Sequence, residues 1–298
     1  HRELVPQLNE TYELELAFYE SELLNDAELL RNGAYFAKVG DQYTRHFLMC
    51  SGAPVKLPEH SSSRLRSFFK TNQFKTGYAT HGLFPYRGKF HPQMIKGLLN
   101  AMGLKPGSTV LDPMMGSGTV LIEATLMGIK SIGIDASPFC RFMAQAKLDA
   151  LTIPLSPVKV ALAEAETVFA YFGSHAGLPT QGSKMRFADA RSTQLFASLT
   201  PPPDERKPTK NGRLPKGCSD PKVYNFLLLA FLDSAGYSER SNRKAPFDQF
   251  RAILERYLFV AEKIQHVLSG AEDELAEAIA ADGDARSLAL DNECVDGI

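Results

Sequence analysis

Everything in this chain is arranged about Val110-Leu111-Asp112-Pro113-Met114-Met115-Gly116-Ser117-Gly118-Thr119, which runs on into Val120-Leu121-Ile122-Glu123-Ala124. An apolar strand enters and a carboxylate marks its end. Two glycines then free the backbone to turn beneath a ligand, and a helix leaves with its amides directed at that ligand. Lys130-Ser131-Ile132-Gly133-Ile134-Asp135 reads as a second strand ending in a carboxylate, 23 residues after Asp112 (135 minus 112). At that spacing a carboxylate can take both hydroxyls of a bound ribose. Two related sites are excluded. The third glycine of G-x-G-x-x-G would stand at position 121, which is Leu, so close approach of a pyrophosphate is not provided. No Lys-Ser or Lys-Thr follows Gly118, so the turn is not a phosphate-cradling P-loop. A nucleoside without a phosphate chain remains.

The rest of the chain must build a globular body around that turn. With 298 residues, 44% hydrophobic and 22% charged, it is long enough for one large domain with additions or for two domains. Cys50, Cys140, Cys218 and Cys294 show no C-x-x-C spacing, so neither a metal knuckle nor a disulfide framework is expected, and no metal site is assigned. No apolar run approaches 18 residues and no signal-peptide pattern opens the chain, so no membrane partner and a cytoplasmic location are expected. The chain opens on His1, and Cys294-Val295-Asp296-Gly297-Ile298 reads as a strand just beginning, so a fragment of a longer protein is expected.

A net charge of −1 conceals a strong polarity along the sequence. Residues 50–105 hold nine Lys or Arg against Glu59 alone, 9 − 1 = +8, whereas residues 270–298 hold nine acids against Arg286, 1 − 9 = −8. A cationic segment beside a nucleoside site suits a polyanionic substrate.

In chain order, residues 1–75 read as a small α+β region. Residues 12–19 alternate as a half-buried strand, residues 20–31 have a helical composition, and residues 34–39 and 45–49 read as short strands around the turn at Gly40-Asp41. His46 and His60 are isolated and are read as surface or core residues. Residues 61–72 and 74–86 interleave Phe68, Phe69, Tyr78, Phe84 and Tyr86 with cations, a pattern that either stacks on bases or packs as core beneath snorkelling cations. Pro92 opens a helix whose apolar face is Met94, Ile95, Leu98, Leu99 and Met102, stopped by Gly103. Ser137 is a plausible cap for the helix after Asp135, Phe139 is read as core or as facing a base, and Glu123 is given no special role. Residues 200–221 hold six prolines and read as an exposed loop, after which residues 223–233 are very apolar and residues 247–268 follow the spacing of an amphipathic helix.

At Asp112-Pro113-Met114-Met115-Gly116-Ser117-Gly118-Thr119 the sequence resembles the class I S-adenosylmethionine-dependent methyltransferases. Within them it is most similar to the amino-methyltransferases of nucleic acids, whose first cofactor motif takes the form D-P-x-x-G-S-G-T. The resemblance covers residues 76–151 and, more loosely, 283–298. It implies an α/β fold, a Rossmann-like methyltransferase domain, incomplete here, with a small N-terminal α+β region and a mainly helical insertion. The corresponding boundaries are 1–75, 76–150 for the cofactor-binding part, 151–282 for the insertion and 283–298 for the resumed domain.

The resemblance further implies S-adenosylmethionine as cofactor. It would be held by Asp112, Pro113, Gly116, Ser117, Gly118 and Thr119 at the turn, by Asp135 at the ribose and by Asp284 of Gly283-Asp284-Ala285-Arg286 at the adenine amino group. Asp189, in a second Asp-Ala-Arg triplet, is the rival for that last role. Lys89, Phe90 and His91, in the segment that closes over the methionine end in such enzymes, are further candidates.

Amino methylation in this family draws on a strand-end motif of Ser, Asp or Asn followed by Pro-Pro-aromatic, which polarises the amine and stacks on the extruded base. No such motif follows Asp284, so the catalytic residues are expected beyond Ile298. Thr200-Pro201-Pro202-Pro203 lacks the aromatic and is read as a turn. No Pro-Cys nucleophile for cytosine C5 methylation is present either. The expectation is methyl transfer to N4 of cytosine or N6 of adenine in DNA. The alternatives are a tRNA guanine-N2 methyltransferase and a non-catalytic protein that binds cofactor and nucleic acid.

Overall fold

The computed structural model describes residues 1–6, 8–51, 63, 66, 77–175, 213–241, 246–288, 290–291 and 294–298. Its centre is a parallel sheet. β4 (Thr109–Asp112) pairs with β5 (Lys130–Asp135), and β5 pairs with β6 (Ala278–Asp282), in a register that sets Asp112 beside Gly133 and Asp135 beside Asp282. On the other flank of β4 the chain returns at Gly297, whose carbonyl accepts from Leu111 N at 2.9 Å while Asp296 N donates to Thr109 O at 2.8 Å. The order is therefore Gly297, β4, β5, β6. The chain leaves β4 to one side and comes back on the other, so the topological switch point falls at β4. Where the sequence predicts a strand beginning at Val295 there is a single parallel bridge at Gly297, and the sheet resumes at Ala278, five residues ahead of 283 (283 − 278).

α4 (Pro92–Ala101), α5 (Thr119–Met127) and α6 (Pro138–Asp149) flank this sheet. Pro92 stands at the first turn of α4, where a missing N–H costs nothing, and Ser137 Oγ caps α6 by accepting from Cys140 N. α5 begins at left-handed Gly118 and stops at left-handed Gly128. Its residues 121–127 are all buried, as a helix between two layers must be.

The N-terminal region is α+β, with two segments opposite to the sequence reading. Residues 12–19 lie in α1 (Thr11–Leu23), because Glu13 Oε2 accepts from Asn9 N and Glu10 N and so closes the first turn, and Leu16, Ala17 and Glu20 then share one buried face. Their apparent alternation arises from Leu14, Phe18 and Tyr19, which are exposed. Residues 45–49 lie in α3 (Arg45–Cys50), started by Thr44, whose Oγ1 accepts from Phe47 N. α2 (Asp26–Asn32) and a small antiparallel sheet of β1 (Arg2–Leu4), β2 (Phe36–Val39) and β3 (Gln42–Tyr43), turning at left-handed Gly40, complete the region. It packs directly on the sheet domain. Asn100 of α4 donates to the buried Glu20 carboxylate at 2.7 Å, and Asn32 donates to Met127 O at the end of α5.

Between α6 and β6 the described chain is helical: α7 (Leu155–Ala163), α8 (Ala165–His175), α9 (Pro221–Ser241) and α10 (Pro246–Leu268). The apolar run at 223–233 becomes the inner face of α9, and the amphipathic stretch becomes α10. Their Val223, Phe226, Leu227, Phe250, Leu254 and Tyr257 form one core with Phe142, Met143 and Ala146 of α6. His60, Asp189 and the Thr200–Pro203 turn lie outside the described residues.

Candidate cofactor site

The carboxyl ends of β4, β5 and β6 gather the predicted residues at one edge of the sheet. β4 stops at Asp112, which is half-buried and whose Oδ1 accepts from Met114 N at 3.1 Å. Burial lifts its carboxyl above the usual carboxylate range, the Met114 N–H works against that, and the neighbouring Asp135 charge adds to it. Pro113 and the exposed Met114 carry the chain outward, and Met115 N then ties the turn back to Ile134 O of β5 at 3.0 Å.

Gly116 (φ +50°) and Gly118 (φ +77°) are left-handed, the region where a side chain is disfavoured. A Cβ on Gly118 would stand 2.8 Å from that of Ala144, so this glycine also lets α5 and α6 approach. Ser117 and Thr119 face inward and are buried, with their hydroxyls 3.5 Å apart, and so offer a ligand backbone rather than side chains.

Asp135 is the organising carboxylate. Oδ2 accepts from Gly116 N at 2.9 Å and Oδ1 from Ser137 N at 2.8 Å, which fixes the glycine turn to the end of β5. Each oxygen keeps a second lone pair, the capacity a ribose diol would use. Asp284 lies on the same edge beyond β6, exposed, with both oxygens on Arg286. Asp282 is held by Arg141 of α6 at 2.9 Å.

The closing segment divides. Phe90 is 59% exposed, and His91 is the N-cap residue of α4. Lys89 points inward, its Nζ donating to His81 O at 3.1 Å, and burial lowers its pKa. Tyr86 lies across the glycine turn, with ring carbon Cε1 3.3 Å from where a Gly116 Cβ would be, and its hydroxyl faces Cys140 Sγ at 3.8 Å. The sequence reading leaves Tyr86 either to stack on a base or to pack as core; in the fold its ring lies over the glycine turn.

Beneath the site sits a group whose role is corrected by the structure. Glu123, on the inner face of α5, is wholly buried and accepts Tyr78 Oη and His81 Nε2, each at 2.6 Å, with Lys96 Nζ at 3.7 Å. Burial pushes its carboxyl up, but Lys96, His81 and Tyr78 together outweigh that and hold it at about 2. Facing a carboxylate, His81 carries its proton on Nε2, and burial keeps it neutral. Tyr78 and His81 are therefore core groups, not base-stacking ones. Phe139 is likewise packed, edge-on to Phe84 at 5.2 Å. For these aromatics the structure selects the core alternative of the sequence reading; the link of Tyr78 and His81 to Glu123 was not foreseen, because it spans more than 40 positions and lies outside any local window.

The arrangement fits S-adenosylmethionine. Two left-handed glycines without Cβ stand at the switch point, and the Asp135 carboxylate beside them keeps spare acceptor capacity. Asp112 and Asp135 give the turn a negative character that suits a sulfonium and an ammonium and opposes a pyrophosphate, whereas the Asp284 charge is matched by Arg286. An open hollow of about 500 Å³, against Gly107, Gly128 and Lys130, lies at the opposite edge of the sheet and contains none of these residues. Among the described residues no cluster of His, Cys, Asp and Glu could hold a metal, and no helix is long and apolar enough to cross a membrane.

The parallel sheet and its flanking helices are those of a Rossmann-like fold, as in methyltransferase domains. Residues 83–171 match the family UPF0020, described as an RMKL-like methyltransferase domain. The chain is 48% identical over 68 residues to the type II methyltransferase M.MjaII of Methanocaldococcus jannaschii, covering 23% of this chain and 13% of that protein. It is 42% identical over 52 residues to a tRNA (guanine(10)-N2)-dimethyltransferase of Methanothermobacter thermautotrophicus, covering 17% and 16%, and 32% identical over 106 residues to the type II methyltransferase M.MvaI of Kocuria varians, covering 35% and 22%. The chain thus spans less than a quarter of these relatives. No solved structure matches it. The matched region is a methyltransferase segment related to the amino-methyltransferases of nucleic acids, and the cofactor of such domains is S-adenosylmethionine.

Proposed function

We propose that this chain carries the cofactor-binding part of an enzyme that methylates an exocyclic amino group of a DNA base, N4 of cytosine or N6 of adenine. The observation that carries this reading is the carboxyl end of β4, where left-handed Gly116 and Gly118 and the carboxylates Asp112 and Asp135 converge. When bound, S-adenosylmethionine supplies an electrophilic methyl group on a sulfonium. On this reading Asp135 holds the ribose, Asp112 faces the methionine ammonium, Gly116 and Gly118 let the backbone lie against the cofactor, and Asp284 accepts from the adenine amino group. Pro113 directs the turn, Ser117 and Thr119 contribute backbone amides, and Phe90 and His91 close the methionine end. The two type II methyltransferase relatives support DNA as the substrate.

A tRNA guanine-N2 activity is the second reading, favoured by the 42% identity over 52 residues to the tRNA enzyme. The test is an assay of the protein from its complete reading frame with labelled cofactor on unmethylated DNA and on tRNA transcripts, followed by mass spectrometry of the nucleosides. N4-methylcytosine or N6-methyladenine is expected. N2-methylguanine in tRNA would transfer the assignment to the second reading. Tight cofactor binding with no methylated nucleoside would replace both by a binding role.

A further inference from the structure

The segment that covers the glycine turn is held in a conformation its own residues resist. Ala79 (φ +46°) and Phe84 (φ +56°) are left-handed without being glycine. Such backbone persists only where the surroundings overdetermine it. Around Ala79 the cause is plain, because Tyr78 and His81 are both fastened to Glu123. Around Phe84 the cause lies 173 residues away. Phe84 N donates to Tyr257 Oη at 2.8 Å, and Tyr257 is a fully buried residue of α10. That hydroxyl donates in turn to Asp233 Oδ2 of α9 at 3.3 Å, and Arg256 donates to the same oxygen at 2.7 Å. The phenol accepts one bond and donates another. Burial beside Asp233 raises its pKa well above 10, so the proton stays in place. Two residues beyond Phe84, Tyr86 crosses Gly116.

We propose that the helical insertion positions the cofactor cover: Tyr257 locks Phe84 in its left-handed conformation and thereby seats Tyr86 over the glycine turn. Tyr257 is a positioning residue, and Asp233 and Arg256 orient its hydroxyl. The inference rests on the cofactor assignment above. It also gives α9 and α10 a part in the cofactor site that neither covering a sheet edge nor reading a substrate requires.

Tyr257→Phe keeps the ring and removes the bond. Tyr224→Phe on α9, at another fully buried tyrosine of the same core, packed against Phe172 of α8, serves as control. Two readouts are taken on folded protein: S-adenosylmethionine affinity by calorimetry, and amide hydrogen exchange over residues 83–90. Tyr257→Phe is expected to weaken the cofactor about five- to tenfold, the loss of one buried hydrogen bond, and to speed exchange at Phe84 and Tyr86. Tyr224→Phe is expected to leave both within about twofold. A wild-type chain that binds no S-adenosylmethionine would overturn the cofactor assignment itself. A wild-type chain that binds, with Tyr257→Phe unchanged or Tyr224→Phe equally weakened, would overturn only the positioning role. Should Tyr257→Phe not fold, Asp233→Asn, which keeps an acceptor but weakens the hold on the hydroxyl, is expected to give the same pattern at smaller amplitude, and no change there would overturn the proposal.

Discussion

Asp135 does two jobs with one carboxylate. It accepts from Gly116 N and Ser137 N and, on the proposed reading, from the ribose, so its removal loosens the turn as well as the ligand. Asp135→Ala is expected to abolish S-adenosylmethionine binding, at least about a hundredfold, and to lower folding stability by about 1–3 kcal/mol, as calorimetry and urea titration would show. Near-unchanged affinity would remove Asp135 from the site. Gly118→Ala meets two penalties, a left-handed backbone and an Ala144 methyl 2.8 Å away, and should cost roughly 1–3 kcal/mol.

Lys147, wholly buried on α6, has the opposite sign. Burial, aided by the Lys89 charge, lowers its pKa to about 7 from 10.5. The unfolded chain therefore binds the proton more tightly than the folded one. The penalty is full below pH 7 and fades as pH rises to 10.5. Lys147→Met should stabilise the protein at pH 7 by on the order of a few kcal/mol, with the gain shrinking towards pH 10. A destabilised variant across that range would show the lysine to be held by its surroundings more firmly than burial alone allows.

At the scale of elements, α5 carries the clearest pH signature. Glu123 is held at about 2, so the stability it contributes is present above its unfolded value of 4.5 and is lost as pH falls towards 2. His46, buried beneath Tyr78, is depressed to about 3 by its burial and by Lys96. It acts in the same direction, because the unfolded chain takes up its proton from pH 6.5 downward. Thermal melts should thus fall from about pH 6.5 and fall more steeply below pH 4.5. A flat profile between 6.5 and 4.5 would show that His46 is not buried as described.

Replacing Glu123 by Ala strands Lys96 in the core and should cost roughly 3–5 kcal/mol in a urea titration. The same helix shows what a sequence discloses. Its start and the strand on each side were legible, because Asp-Pro, two glycines and an apolar run are local signals. Glu123 was not, because a carboxylate inside an apolar helix declares itself only when Tyr78, His81 and Lys96 fold over it. α1 was misread for a related reason, since its exposed Leu14, Phe18 and Tyr19 imitate the alternation of a strand.

At the scale of the molecule, the structure redistributes the charge on which substrate recognition depends. Of the nine cations in residues 50–105, Lys96 is spent on Glu123, Lys89 points into the core and Lys105 lies 4.0 Å from Glu28. The other six cations of that stretch are Lys56, Arg64, Arg66, Lys70, Lys75 and Arg87. Five of them precede residue 76, and the acid-rich residues 270–298 supply β6 and the far rim of the cofactor crevice. On the proposed reading, attraction to nucleic acid is assigned to these cations and cofactor binding to the carboxylates Asp112 and Asp135.

It follows that nucleic-acid affinity and cofactor affinity are separable by substitution. Changing Arg64, Arg66, Lys70 and Lys75 together to Gln should weaken binding of a duplex or a tRNA and reduce the slope of log K against log salt by up to about one for each phosphate that is no longer neutralised. S-adenosylmethionine affinity should stay within about twofold of wild type. Fluorescence anisotropy from 50 to 200 mM salt measures the first quantity and calorimetry the second. An unchanged slope would place the polyanion elsewhere on the molecule. A parallel drop in cofactor affinity would mean that the cationic stretch belongs to the crevice after all.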